Sequence, residues 1–121
     1  MVAPTDAAVL VRALHAPRRR EILRLCWDDE VSAGRIHAAF GDVTFGAISQ
    51  HLRVLSDAGL LGVRRDGRQR LYRTRKDALG PMRKALEAMW DSALYALKLE
   101  AELEEARRGP RAKRSRNRTK S

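Results

Sequence analysis

The sequence predicts a mainly α fold with one small β-hairpin: five helices and a two-stranded ribbon. Three observations predict it. Apolar residues recur at helical spacing in five stretches, the period changes once around an Asp-Gly dipeptide, and Gly109-Pro110 sets off a polar, cationic remainder. With 121 residues, 44% of them hydrophobic, the chain suits one domain with one core and is too apolar for a fully disordered polymer.

The first helix is expected where Ala7, Leu10, Val11 and Leu14 fall at i, i+3, i+4 and i+7, with Thr5 or Asp6 as N-cap. The second opens at Pro17, a favoured first helical position, and turns Ile22, Leu25 and Cys26 inward. The third follows Ser32, aligns Ile36, Ala39 and Phe40, and is expected to stop at Gly41, a residue able to adopt the left-handed conformation of a helix end. The fourth starts at Thr44, buries Ile48, Leu52 and Leu55, and ends at Gly59 in the same way. Two short strands, about 61–65 and 68–74, are then joined by Asp66-Gly67, a dipeptide suited to tight hairpin turns. A fifth and longest helix is expected from between Asp77 and Pro81 to about Glu105, with the stripe Met82, Leu86, Met89, Trp90, Ala93, Leu94, Leu97 and Ala101. These elements give a domain over 1–106 and a polar tail, 107–121, expected to be disordered.

Charge is unevenly placed. Lys and Arg number 25 against 15 Asp and Glu, a net +10. Residues 61–76 hold seven of these cations and one acid, Asp66, and residues 107–121 hold eight cations and no acid. The rest of the chain is slightly acidic. Two basic patches on such a body point to a polyanion bound at defined places.

The third and fourth helices, separated by Gly41-Asp42-Val43, have helix-turn-helix spacing. With Ile48, Leu52 and Leu55 inward, the fourth helix presents Thr44, Phe45, Gly46, Ser49, Gln50 and Arg53. Small, hydrogen-bonding and cationic groups near a helix N-terminus suit entry into a major groove. Phe45 is unusual on a solvated face; a thymine methyl or a hydrophobic staple would each account for it. Directly downstream, Arg64, Arg65, Arg68, Gln69, Arg70 and Arg73 crowd a hairpin whose like charges repel unless an anion lies beside them. A helix-turn-helix followed by a basic hairpin is a winged helix, with the hairpin as wing.

The chain here resembles the winged-helix bacterial repressors of the arsenic- and zinc-responsive ArsR/SmtB class. Ala13-Leu14-His15-Ala16-Pro17-Arg18-Arg19-Arg20-Glu21-Ile22-Leu23 is similar to the family's A-L-x-x-P-x-R-x-x-I-L. The run from Ile48 to Leu61 contains S-x-H-L-x-x-L-x-x-A-G-L, and Arg64-Arg65-Asp66-Gly67-Arg68 with Tyr72-Arg73 is similar to the family's wing. The likeness spans about residues 7–100. It implies a cytoplasmic homodimer, with the first and last helices at the interface, that represses by binding an operator. Leu10, Leu86, Met89, Trp90, Leu94 and Leu97 are the expected interface residues. Ser49 and Gln50 would touch bases or phosphate, and Arg64, Arg65, Arg68 and Arg70 would hold the flanking backbone or minor groove. Phe45 and Gly46 depart from the polar or proline residues often found there, so no operator sequence carries over.

Metal sensing does not carry over either. Val31-Ser32-Ala33-Gly34-Arg35 stands where a C-x-C pair would begin the third helix, and the last helix has no histidine. His15, His37 and His51 lie on different helices and Cys26 is alone, so neither metal-ligand spacing nor a nucleophile–base pair is present. No phosphate-cradling glycine motif occurs. A cofactor-free, non-enzymatic DNA-binding regulator is therefore expected, with double-stranded DNA and a second copy of itself as partners. No membrane partner is expected, since the longest apolar run is only Ala7 to Val11. The alternative is an architectural protein that binds nucleic acid non-specifically through the same basic segments. The tail is expected to act as a cationic arm along phosphates; its rival role is folding back on Glu100, Glu102, Glu104 and Glu105.

Overall fold

The computed structural model describes residues 4–108. The tail over 109–121, with its expected DNA-arm role, lies outside them. Helices α1 (Ala7–Leu14) and α2 (Pro17–Leu25) lead to a two-residue strand β1 (Val31–Ser32) and to α3 (Ala33–Ala39) and α4 (Phe45–Asp57). A hairpin of β2 (Leu61–Asp66) and β3 (Gln69–Thr74) follows, then a 3-10 turn at Lys76–Leu79, α5 (Met82–Trp90) and α6 (Ala93–Arg108). The sheet is antiparallel in the order β1-β3-β2, so the described fold is a winged helix-turn-helix with six α-helices and a third strand.

Caps fix most of the boundaries. Asp6 starts α1 by accepting from the Ala8 N–H at 3.1 Å, and Thr44 starts α4 by accepting from Ala47 N–H at 3.1 Å. The α1 C-terminus has its carbonyls taken up by two arginines of α2. Arg19 donates to Ala13 O (2.6 Å) and Arg12 O (2.9 Å), and Arg20 donates to Leu14 O at 2.7 Å. The expected stop of α4 at Gly59 holds: with φ of +80°, Gly59 donates to Ser56 O at 3.0 Å and Leu60 to Leu55 O at 2.9 Å, both bonds of a Schellman motif.

Several boundaries differ from the expectation. Gly41 has no positive φ; α3 instead ends where Phe40 leaves helical geometry (φ −122°, ψ 63°) to bury its ring. The hairpin loop is Gly67-Arg68, one residue later than expected, because Asp66 pairs with Gln69 and the positive φ falls on Gly67. On α2 the buried arc is Ile22, Leu23, Cys26 and Trp27, while Leu25 is exposed. That helix packs against α1, α4, β3 and the last helix at once, which moves the inward arc off Leu25. Val11, one step beyond the Leu10–Ala13–Leu14 arc, is also exposed.

The largest correction concerns the last helix. It is two helices, broken at Asp91-Ser92, where Ser92 Oγ accepts from the Leu94 N–H at 3.2 Å and restarts the chain as a cap would. The break changes the phase of the apolar stripe. Leu86 and Leu99 enter the core, Met89 and Trp90 pack partly against it, and Leu94 and Leu97 are 73% and 66% exposed. Leu10 and Leu86, expected at a dimer interface, are thus spent on the monomer's own core. α6 runs back over α2, with Arg20 3.7 Å from Glu102 and Arg107 3.7 Å from Asp42 in the turn between α3 and α4. Arg107, assigned to the tail from sequence, is helical.

The core arc of α2 makes a direct prediction. Leu23→Ala should lower unfolding stability in urea by about 2–5 kcal/mol, the usual cost of a cavity at a closed site. Leu25→Ala should cost less than about 1 kcal/mol, as expected for a partly solvated side chain.

Candidate nucleic-acid interface

α4 and the hairpin diverge from a common base at Gly59–Leu61, and α3 closes the third side. Between them lies an open groove of about 980 Å³. Phe45, Gly46, Ser49, Gln50 and Arg53 line it from α4; Arg68 and Arg70 line it from the hairpin; and the start of α3 contributes Arg35. Thr44 caps α4 at the groove's edge. The structure therefore brings together the sequence-selected face of α4 and part of the sequence-selected wing.

Strand parity decides which wing residues join. Opposed pairs across the hairpin share a face, so Val63 with Tyr72 and Arg65 with Arg70 form one face, and Arg64 with Leu71 the other. Val63, Tyr72 and Arg70 line the groove, and Arg65 sits directly across from Arg70. Two guanidinium groups opposed in this way are destabilising until an anion lies between them. Arg64 is different. Its Nε and Nη2 donate to the two Glu30 carboxylate oxygens at 2.9 and 2.8 Å. The Arg64 guanidinium holds the Glu30 carboxyl below its ordinary pKa, and Glu30 raises that of Arg64. Arg64 is absent from the groove lining, so its expected role as a DNA contact is not supported by its position. Among the described residues, the side chains of Arg35, Arg53, Arg65, Arg68 and Arg70 have no hydrogen bond or ion pair.

Arg35 and Gln69 were not selected as site residues from sequence. The signal for Arg35 was the Ser32 cap: Ser32 Oγ accepts from the Arg35 N–H at 3.2 Å, which puts this cation on the first turn of α3, facing the hairpin. The other reactive side chains are occupied elsewhere. His37 stands edge-on to Phe45, with ring centroids 5.0 Å apart. His51 Nδ1 lies 3.4 Å from Arg19 Nη1, and burial, with help from Arg19 and Arg18, lowers its pKa so that it stays neutral near pH 7. Cys26 is fully buried in the core, and burial pushes its thiol up to about 12, so the thiolate that redox chemistry needs is not formed near pH 7. Among the described residues, no three His, Cys, Asp or Glu side chains converge as a metal site would require, and no helix is long and apolar enough to cross a membrane.

Comparison with known proteins agrees with this fold. A helix-turn-helix domain family matches residues 13–64. The biofilm growth-associated repressor of Agrobacterium fabrum is 31% identical over 86 residues, covering 71% of this chain and 73% of that protein. Reduced HlyU from Vibrio cholerae superposes with a TM-score of 0.63 at 28% identity, over 71% of this chain and 90% of that one. The homodimeric winged helix-turn-helix DNA-binding domain of Mb0332 from Mycobacterium bovis, described as a possible ArsR-family transcriptional regulator, gives 0.61 at 25% identity, over 78% and 94%.

The division of the wing is testable on random duplex. Arg70→Met should reduce the log–log salt slope of binding by about 0.9 per chain, one phosphate contact. Arg64→Met should leave the slope nearly unchanged. An equal drop for both would place Arg64 on phosphate after all.

Proposed function

The chain belongs to the ArsR-type winged helix-turn-helix transcriptional regulators, and from that premise we propose that it is a homodimeric repressor of a pseudo-palindromic operator. In this reading helix 44–58 lies in the major groove with its N-terminal end foremost, and the wing lies against the flanking backbone or minor groove. The observation that carries it is the set of unpaired arginines around one groove. Arg35, Arg53, Arg68 and Arg70 converge on the space beside Ser49 and Gln50, with Arg65 opposite Arg70. Cations left without partners on three separate elements, all facing one cleft, need an extended polyanion.

Ser49 and Gln50 are the base readers in this arrangement, and Thr44 with the α4 N-terminal amides holds a phosphate. The dimer places two recognition helices about 34 Å apart, one turn of B-DNA. Its contact surface draws on Leu94 and Leu97, large apolar side chains that the monomer leaves in water, flanked by the half-buried Met89 and Trp90. The homodimeric state of the Mb0332 domain supports the same symmetry here. The protein works in the compartment that holds the DNA, the cytoplasm of a bacterial cell, and carries out no catalysis.

Two measurements test the reading. Affinity for the region upstream of its own gene should exceed affinity for random duplex by about a thousandfold or more at one stated salt concentration. Gln50→Ala should remove about 1–3 kcal/mol on the operator and much less on random DNA. A ratio near one would identify a non-specific architectural protein instead. For the dimer, sedimentation at micromolar concentration should give twice 13.7 kDa, and Leu94→Glu should give the monomer. An unchanged mass in Leu94→Glu would remove α6 from the interface.

A further inference from the structure

We propose that Phe45 reads the C5-methyl group of a thymine in each half-site, which makes an apolar contact, and not only hydrogen bonds, part of this operator's code. The inference rests on the reading above, that α4 enters the major groove.

Phe45 is the first residue of α4 and is 58% exposed. The residues a hydrophobic staple would use are those at N′ and N4, here Val43 and Ile48, and both are drawn into the core. Phe45 therefore has no staple role. Its ring contact within the described chain is the edge-on stack with His37, at 84° between planes, and most of the residue stays open to solvent. Gly46, beside it, has open space where a side chain would begin, with nothing within 4 Å. The combination is an exposed aromatic side chain at the N-terminal end of the helix, next to a backbone that a partner can approach closely.

The position decides what that partner is. N-terminal residues of a recognition helix meet base edges. Along the major groove those edges present hydrogen-bonding groups and one saturated carbon group, the thymine methyl. A ring left in water in the free protein gains most where it covers that methyl. Deoxyribose carbons are the competing apolar surface, and they are the same for every base.

The test uses the full chain and synthetic duplexes. A pool with a randomised central segment is selected for binding, and the enriched duplex is remade with deoxyuridine replacing thymidine at single positions, since uracil pairs identically and lacks the methyl. Wild-type protein should lose about fourfold in affinity at one symmetric position per half-site, and about fifteenfold when both are replaced. In Phe45→Ala the thymine-to-uracil ratio should fall to near one, while Phe45→Leu keeps part of it. Unchanged melting temperature in both variants checks that the exposed ring is not needed for folding. If Phe45→Ala weakens binding but keeps the wild-type ratio, the ring lies on sugar and the proposal fails alone. If selection enriches no sequence, sequence-specific reading fails and takes this proposal with it.

Discussion

The fold depends on how the end of β3 is docked onto the end of α2. Thr74 is the one buried polar side chain among the described residues. Its Oγ1 donates to Leu23 O at 2.9 Å, and its N–H donates to Cys26 O at 3.0 Å. These two carbonyls stand at the C-terminal end of α2 among buried residues, where an unsatisfied acceptor is costly. Thr74 satisfies two places there and so locks the hairpin to the helical body. The next residue continues the attachment, with Arg75 N–H donating to Leu60 O at 2.8 Å, just after the Schellman end of α4. A wing held at both α2 and α4 has a defined angle to α4, and the groove between them inherits that angle.

β1 adds a second restraint from the other side. Val31 pairs with Tyr72 and Ser32 with Leu71, and Ser32 is also the residue that caps α3. One residue thus ends a strand bonded to the wing and begins the first helix of the helix-turn-helix. The Glu30 carboxylate immediately before this strand holds Arg64 on the hairpin's far face. An exposed pair of this kind adds little to global stability. What it affects is orientation: with Arg64 turned away, Arg65 and Arg70 are left on the face that opens toward α4.

The helix-turn-helix and the wing were legible in the sequence because each has local, strongly signed cues. Thr44, Gly59 and the Asp66-Gly67 pair act within a few residues, and Ile48, Leu52 and Leu55 hold an unbroken helical period. What was not legible depends on neighbours distant in sequence. A two-residue strand at Val31–Ser32 has no period to detect, and it exists because Tyr72 and Leu71 offer free backbone groups. The break at Asp91-Ser92 was masked because Met89, Trp90, Leu94 and Leu97 continue a plausible stripe straight through it. Only the demand that α6 lie back along α2 separates Leu99, which is buried, from Leu97, which is not. Ser92 carried a local hint, as a capping residue between two apolar runs.

Net charge overstated the DNA footprint for a related reason. Arginine has two uses in this chain, and sequence composition adds them together. Arg19 and Arg20 cap α1, Arg18 lies 2.7 Å from Asp42, and Arg107 pairs with Glu104 at 2.8 Å. Arg64 belongs with these structural cations. Their charge is spent on carbonyls and carboxylates of the chain itself, so they release few counterions when a polyanion arrives. The unpaired arginines that line the groove, Arg35, Arg53, Arg68 and Arg70, lie on three elements whose mutual positions Thr74, Ser32 and Gly59 set. Spatial convergence therefore says more about the ligand than the total of +10 does. A surface that is merely basic binds any polyanion, whereas a helix end and a ribbon at a fixed angle, each with free guanidinium groups, fit one that repeats its charges along a rigid groove.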